Sequence, residues 1–246
     1  EFENYGFFNL LNQLFTKYRA CIIAGWGIQM FQQLWGINTA MYYGPEIMKI
    51  AGFGDDEHKE QTLISSLPLA GINAIGGIIA LWFIDRLGRR WIMLRTLPFV
   101  ALFMWVIGLG MGLRNYLDDS HKFAHELGKW WAAGGLFFFF FSFAIGMGPT
   151  PWTVNSEIYP LHLRGMGNSM SATTNWISNF AVSMTFLSLL EDIKFGDILA
   201  FVLIWIFALL GFAFVYFLIH ETKGLSLDRV LSLFTKQNIN DTEKIL

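Results

Sequence analysis

The sequence predicts an all-α membrane protein: six transmembrane helices arranged as two inverted three-helix repeats, with a short amphipathic helix at each end. Three observations lead there. The 246 residues are 54% hydrophobic and only 15% charged, whereas a soluble domain carries about 25% charged residues. Apolar runs of membrane length recur along the chain, separated by polar or charged connections. The first and fourth runs are interrupted at equivalent places in two three-span units, and three spans per unit turn the second copy over in the membrane.

Composition also excludes several classes. A net charge of −2 argues against nucleic acid as a partner. The single cysteine, Cys21, allows no internal disulfide. There is no phosphate loop, no nucleophile–base pair and no clustered set of metal ligands. His121 and His125, at i and i+4, are two ligands without a third, so an enzyme, a cofactor and a metal are not expected. The chain opens on Glu1 with no signal-peptide pattern before its first span, which reads as a processed chain or a piece of a longer one.

Residues 1–19 form an amphipathic segment on the cytoplasmic side. Phe7, Leu10, Leu11, Leu14, Phe15 and Tyr18 recur at helical spacing, with Lys17 and Arg19 at the end. The six-helix bundle occupies residues 20–220. Its first span, Ala20 to Tyr43, holds the stretch around which the rest is organised, QMFQQLWGINTAMYY. On a continuous helix Gln29, Gln32, Gln33, Gly36 and Tyr43 fall within an arc of about 100°, with Asn38 off that arc. Gly36 is where the helix can loosen, letting Asn38 swing inward while Tyr42 and Tyr43 form a mouth. Amides both donate and accept hydrogen bonds and aromatic faces cover C–H faces of a ring, so this lining suits a neutral polyhydroxy solute. Bonding to a neighbouring helix is the other use such amides have in membranes.

An acidic loop, Gly52 to Gln61, follows. The second span, Thr62 to Ile84, carries Asn73 and then Gly76, Gly77 and Ala80, a small-residue face for close helix packing; it stops at DRLGRR, Asp85 to Arg90. The third span is Trp91 to Leu113, and Arg114 to Lys129 reads as a polar loop. The fourth, Trp130 to Trp152, ends in GMGPTPW. There Gly146, Pro149 and Pro151 break the helix, which lipid tolerates only where the break is buried in protein or lines a cavity. The fifth, Gly167 to Leu190, carries a polar stripe of Asn168, Ser171, Asn175, Ser178 and Asn179 toward the bundle interior. The sixth, Ile198 to Ile219, is uniformly apolar and reads as a lipid-facing support. Residues 221–246 are a cytoplasmic-side tail with an amphipathic stretch at Leu227, Val230, Leu231 and Phe234. Six spans put both termini on one side. The terminal segments and the second–third and fourth–fifth connections hold most of the 17 lysines and arginines, which makes that side cytoplasmic or matrix-like.

Six stretches, in order, carry a resemblance: QQLWGIN with the following tyrosines, DRLGRR, GPTPW, SEIYPLHLRG, NWISNF and ETKG. From about Leu14 to Asp228 the chain resembles the C-terminal half of a sugar porter of the major facilitator superfamily. GMGPTPWTVNSEIYP and NWISN are most similar to its proton-linked myo-inositol branch. The resemblance implies substrate contacts from Gln32, Gln33, Asn38, Asn73, Trp152 and Asn175. It implies gating or packing by Tyr42, Tyr43 and Trp176 and by the break residues Gly146, Pro149 and Pro151. It also implies a cytoplasmic ion-pair network of Asp85, Arg86, Arg89, Arg90, Glu157 and Arg164 that holds the inner ends together until the solute site is occupied; partly shielded carboxylate–guanidinium pairs can bias such a two-state equilibrium.

Two departures stand out. Ala144 lies close to where many hexose porters carry a carboxylate, and His220 replaces the proline that precedes ETKG. No acid lies in the middle of any span, since Glu46, Asp85 and Glu157 sit at span ends. Proton coupling would therefore use a group outside this sequence. The expected function is transport of a neutral sugar or polyol, a hexose or myo-inositol, by alternating access, with this chain as one bundle. The alternative is a non-transporting half-transporter kept as a structural subunit of a larger membrane complex. Either way, polar stripes left facing lipid cost about 0.5–2 kcal/mol per poorly paired group, so a second six-helix bundle or other membrane subunits should cover that face.

Overall fold

The computed structural model describes residues 6–51, 53, 59–115, 121–192 and 195–235. Among these the chain forms eleven α-helices and no strand. The amphipathic α1 (Phe7–Thr16) buries Leu14 against the bundle and leaves Phe7 and Phe8 exposed. The first expected span is divided into α2 (Arg19–Leu34), α3 (Ile37–Tyr42) and α4 (Gly44–Ile50). The division falls at Gly36, whose φ of +73° lies in the left-handed region, where a side chain is strained and glycine is not.

The long helices follow: α5 (Lys59–Leu87), α6 (Arg89–Asn115), α7 (Lys122–Gly146), the short α8 (Thr150–Glu157), α9 (Arg164–Asp192) and α10 (Gly196–Leu218). The amphipathic α11 (Leu227–Thr235) tucks Val230, Leu231 and Phe234 beneath the bundle. Helix α7 ends at Gly146 and α8 begins at Thr150, so Met147, Gly148 and Pro149 form the second interruption. Gly146 allows α7 to approach α6 there: a Cβ on it would lie 1.7 Å from Thr96 Oγ1.

One expectation needs correction. Residues read as the polar loop before Lys129 are helical from Lys122 onward, and α6 continues to Asn115. Both helices project past their apolar sections, and Lys122, Glu126 and Lys129 share one face at three- and four-residue steps. Among the described residues four helical stretches are long and apolar enough to cross a membrane: Leu67–Leu87, Arg89–Asn115, Lys122–Glu157 and Ile198–Leu218. Helix α2 has only 16 residues before its break, and α9, with 29, is diluted by its amides and hydroxyls.

Helix α6 packs against α7 and α10, α2 against α9, and α5 against α7. The core runs through Trp35, Met93, Leu97, Phe139, Phe140, Phe143 and Phe201. Into it α2 and α9 bring Gln29, Gln32, Gln33, Ser171, Asn175 and Asn179, all buried. Gly76 sets how closely α5 and α7 meet, because a Cβ there would lie 2.7 Å from Ala144 Cβ.

Candidate functional site

Between the two helix interruptions lies a cavity of about 270 Å³ lined by Gln32, Gln33, Asn38, Asn73, Trp152 and Asn175, together with Ile37, Gly77, Phe143, Ala144, Gly148 and Trp176. The first six are the expected substrate-contacting set, drawn from α2, α3, α5, α8 and α9 into one place. No lining residue is ionisable. The volume is near the lower end of small-molecule sites, which start at about 300 Å³.

The amides are joined to one another. Asn38 Nδ2 donates to Gln33 Oε1 at 3.0 Å across the Gly36 break, and Gln33 Nε2 donates to Asn175 Oδ1 at 2.9 Å. Asn175 Nδ2 donates to Gln32 Oε1 at 2.9 Å, to Gln29 Oε1 at 2.8 Å and to the Gln29 carbonyl at 3.1 Å. Gln32 Nε2 donates to the carbonyls of Met147 and Gly148, at 2.6 and 3.0 Å, in the gap between α7 and α8. Carbonyls freed by the second interruption thus find their partner on the first broken helix. Asn73, half-buried on α5, has no hydrogen-bond partner among the described residues and keeps its whole amide for the cavity. Trp152 and Trp176 expose 42% and 59% of their surface at its edge.

The tyrosines stand apart from this lining. Tyr43 does not shape a mouth: its ring stacks on Phe186 of α9 with centroids 5.7 Å apart, because α3 packs against α9 while α4 turns away to α5. Tyr42 is exposed and its hydroxyl accepts from Asn179 Nδ2 at 3.5 Å. Ala144 is buried on the cavity wall behind Gly76, so the position where a carboxylate was weighed presents only a methyl group.

At the end of the bundle bearing DRLGRR, Arg89 Nη2 lies 2.9 Å from both Asp85 Oδ1 and Glu157 Oε1. Thr222 Oγ1 donates to Glu157 Oε2 at 2.6 Å. Of the expected ion-pair network, this brings together Asp85, Arg89 and Glu157. The other three arginines form no ion pair among the described residues. Arg86 stacks on Trp82, Arg90 donates to the Tyr216 carbonyl, and Arg164 reaches the Tyr159 carbonyl at 3.5 Å. Each finds an aromatic face or a helix-end carbonyl closer than a carboxylate.

The model of the sugar (and other) transporter family matches residues 3–234. The chain belongs to that family. As a member of it, with four apolar helical stretches of spanning length, the chain is a multi-pass integral membrane protein.

Among its relatives, probable inositol transporter 2 of Arabidopsis thaliana is 30% identical over 90% of this chain and 50% of its own length. The proton myo-inositol cotransporter of Homo sapiens is 30% identical over 88% of this chain and 44% of its own. Membrane transporter D1 of Leishmania donovani is 35% identical over 88% and 38%. The chain thus spans half or less of these curated relatives. A solved structure of the proton:xylose symporter XylE with bound 6-bromo-6-deoxy-D-glucose superposes with a TM-score of 0.72 at 24% identity, over 91% of this chain and 46% of that one. The fold is accordingly that of the major facilitator superfamily.

One residue of this family member's polar framework carried no assigned role in the sequence. Glu221, in ETKG, accepts from the main-chain N–H groups of Arg89 and Trp91, at 2.9 and 3.1 Å, and of Thr222 and Lys223, at 3.0 and 3.1 Å. It satisfies orphan donors at the start of α6, where a negative charge also meets the positive end of the helix dipole. No sequence signal marks the α6 contacts, because those two partners lie about 130 residues away from Glu221.

Proposed function

We propose that this chain forms one six-helix bundle of a sugar or polyol porter and carries its share of the solute site in the cavity between the Gly36 and Met147–Pro149 interruptions. In this reading α2 with α3, α5 and α6 form one three-helix repeat, and α7 with α8, α9 and α10 form its inverted copy. Both termini lie on the cytoplasmic side. Matching interruptions at the repeat interface are where such carriers hold their solute. The observation that carries the proposal is the convergence of Gln32, Gln33, Asn38, Asn73, Trp152 and Asn175 on one uncharged cavity.

A neutral, hydroxyl-rich ligand follows from that lining. Charged solutes would lose their hydration without gaining a counter-charge, whereas a hexose or myo-inositol exchanges hydroxyl–water bonds for hydroxyl–amide bonds and lays a C–H face on Trp152 or Trp176. The names of the inositol and xylose transporters above support this class. Alternating access requires a second six-helix bundle against the face where α9 exposes Trp176, Ile177, Phe180 and Met184. The Asp85, Arg89, Glu157 and Thr222 cluster would bias the inner ends toward the closed state. A proton-linked cycle would draw its titrating group from outside this cavity.

The mutual pairing of the amides is also what a packing role in a non-transporting subunit would need. Counterflow in proteoliposomes, made with the purified chain and whatever copurifies, separates the two. Saturable exchange of labelled myo-inositol or D-glucose that falls on Asn73→Ala and Gln32→Ala supports the porter. Absence of exchange, with firm copurification of unrelated subunits, favours the scaffold.

A further inference from the structure

Gln29 lies outside the cavity, one helical turn behind Gln32 and Gln33, and is fully buried. Its side chain and its main-chain carbonyl both accept from Asn175 Nδ2, while its own Nε2 has no partner among the described residues. The direction of the whole amide chain can be worked out from groups that cannot be reversed. A main-chain carbonyl only accepts. The Met147 and Gly148 carbonyls therefore fix Gln32 with Nε2 toward them and Oε1 toward Asn175. The Gln29 carbonyl, independently, fixes Asn175 with Nδ2 toward α2. Asn175 Oδ1 then faces Gln33, which must donate, and Gln33 Oε1 faces Asn38, which must donate in turn. Three acceptors share the two hydrogens of Asn175 Nδ2, so Asn175 has no donor left for a ligand. What remains at the cavity end of the relay is Asn38 Oδ1, the one acceptor there, with the second hydrogen of Asn38 Nδ2 beside it.

We propose that Gln29 is a positioning residue of the solute site: it clamps the Asn175 amide, and through Gln33 it sets Asn38 Oδ1 as the acceptor that meets a ligand hydroxyl. The inference rests on the sugar-site reading for its ligand but not for the relay itself. Because the relay runs from the Gly36 break to the Met147–Gly148 carbonyls, a ligand that draws on Asn38 also pulls on the second interruption.

Two measurements on the purified chain in lipid nanodiscs test this. In the first, binding of myo-inositol and of D-glucose is compared across Gln29 variants. Gln29→Met, which keeps the volume and removes the shortest of the three acceptors on Asn175 Nδ2, weakens binding about tenfold because the amide is no longer held in place, although the Gln29 carbonyl and Gln32 Oε1 still accept its two hydrogens. Gln29→Glu, which when neutral in this buried position still presents a carbonyl to Asn175, stays within about threefold of wild type. Should Gln29→Met fail to accumulate, Gln29→Asn replaces it, since it withdraws the amide by about 1.5 Å. Equal weakening by Met and Glu, or none by Met, overturns the assignment.

The second measurement is a melting-temperature cycle of Gln29→Met with Asn175→Ala. The double variant melts no lower than Asn175→Ala alone, because without the Asn175 amide the Gln29 acceptor holds nothing; additive losses overturn the relay. If the wild type binds neither sugar, the sugar-site reading fails, and this cycle alone decides whether the relay exists.

Discussion

Removal of Arg89 separates the two carboxylates that share it. Arg89 Nη2 lies 2.9 Å from both Asp85 and Glu157, yet the side chains are unequal: Asp85 is 76% exposed, Glu157 only 23% and Arg89 12%. An exposed i,i+4 pair contributes about 0.3–0.5 kcal/mol. A hydrogen bond to a charged group contributes about 1.5–3 kcal/mol when shielded. Discounted for the remaining solvent access of Glu157, the Arg89–Glu157 coupling should be about 1–2 kcal/mol and the Arg89–Asp85 coupling below about 0.5 kcal/mol.

Double-mutant cycles with Arg89→Met, Glu157→Gln and Asp85→Asn, read by reversible unfolding in mixed micelles, give both numbers. In Glu157→Gln a carbonyl that still accepts from Thr222 turns the amide NH2 toward Arg89, so a second cycle with Glu157→Ala checks that this new contact does not inflate the coupling. A coupling to Glu157 no larger than that to Asp85 would refute the account of which carboxylate holds this end closed.

Three further outcomes follow from particular contacts. Gly36→Ala should cost about 1–2 kcal/mol from the left-handed backbone. Its Cβ also lies 2.9 Å from the flexible Ile204 Cδ1, so unfolding should show a loss within that range and not a collapse. Gly146→Ala should be worse, above about 2 kcal/mol, because its Cβ would overlap Thr96 Oγ1; a neutral effect on expression and melting would contradict the observed approach of α6 and α7. At His220, desolvation first and the Arg90 charge second push the pKa below 6.5, and the ring packs edge-on against Phe234 of α11 at 5.1 Å. A folded-state pKa below the unfolded one means the unfolded chain binds the proton first, so docking of α11 should weaken as pH falls through 6.5 and below. Limited proteolysis of the tail across that range should show the effect, and His220→Gln should flatten it.

Both helix interruptions were legible in the sequence because glycine and proline act locally: Gly36 and the Gly146 to Pro151 run declare themselves without tertiary context. Gln32, Gln33 and Asn175 were legible because amides at helical spacing inside an apolar run have few places to go, whereas Asn73 and Trp152 joined the expected lining only through the resemblance. The amides of α2 and α9 lower the hydropathy of these helices, which the sequence nevertheless predicts as spans from their length and flanks, so these two do not stand among the four apolar stretches of spanning length. Tyr43 was misplaced because side-chain direction beyond a break depends on how the broken helix restarts, which no periodicity records. Arg86, Arg90 and Arg164, which form no ion pair among the described residues, show a related limit, since a motif fixes which charges share a turn but not whether an aromatic face or carbonyl lies closer. Glu221 shows the long-range limit, two of its four partners being main-chain groups at the start of a distant helix.

The central claim is that six side chains from five helices form one uncharged pocket for a hydroxyl-rich ligand. Its most direct measurement is equilibrium titration of myo-inositol and D-glucose into the chain in nanodiscs, followed by tryptophan fluorescence and repeated with Trp152→Phe, Asn73→Ala and Asn38→Ala. The account predicts a saturable change that Trp152→Phe largely removes and that both asparagine variants shift to higher ligand concentration by about tenfold. No saturable change with either sugar, or a change untouched by all three substitutions, would contradict it.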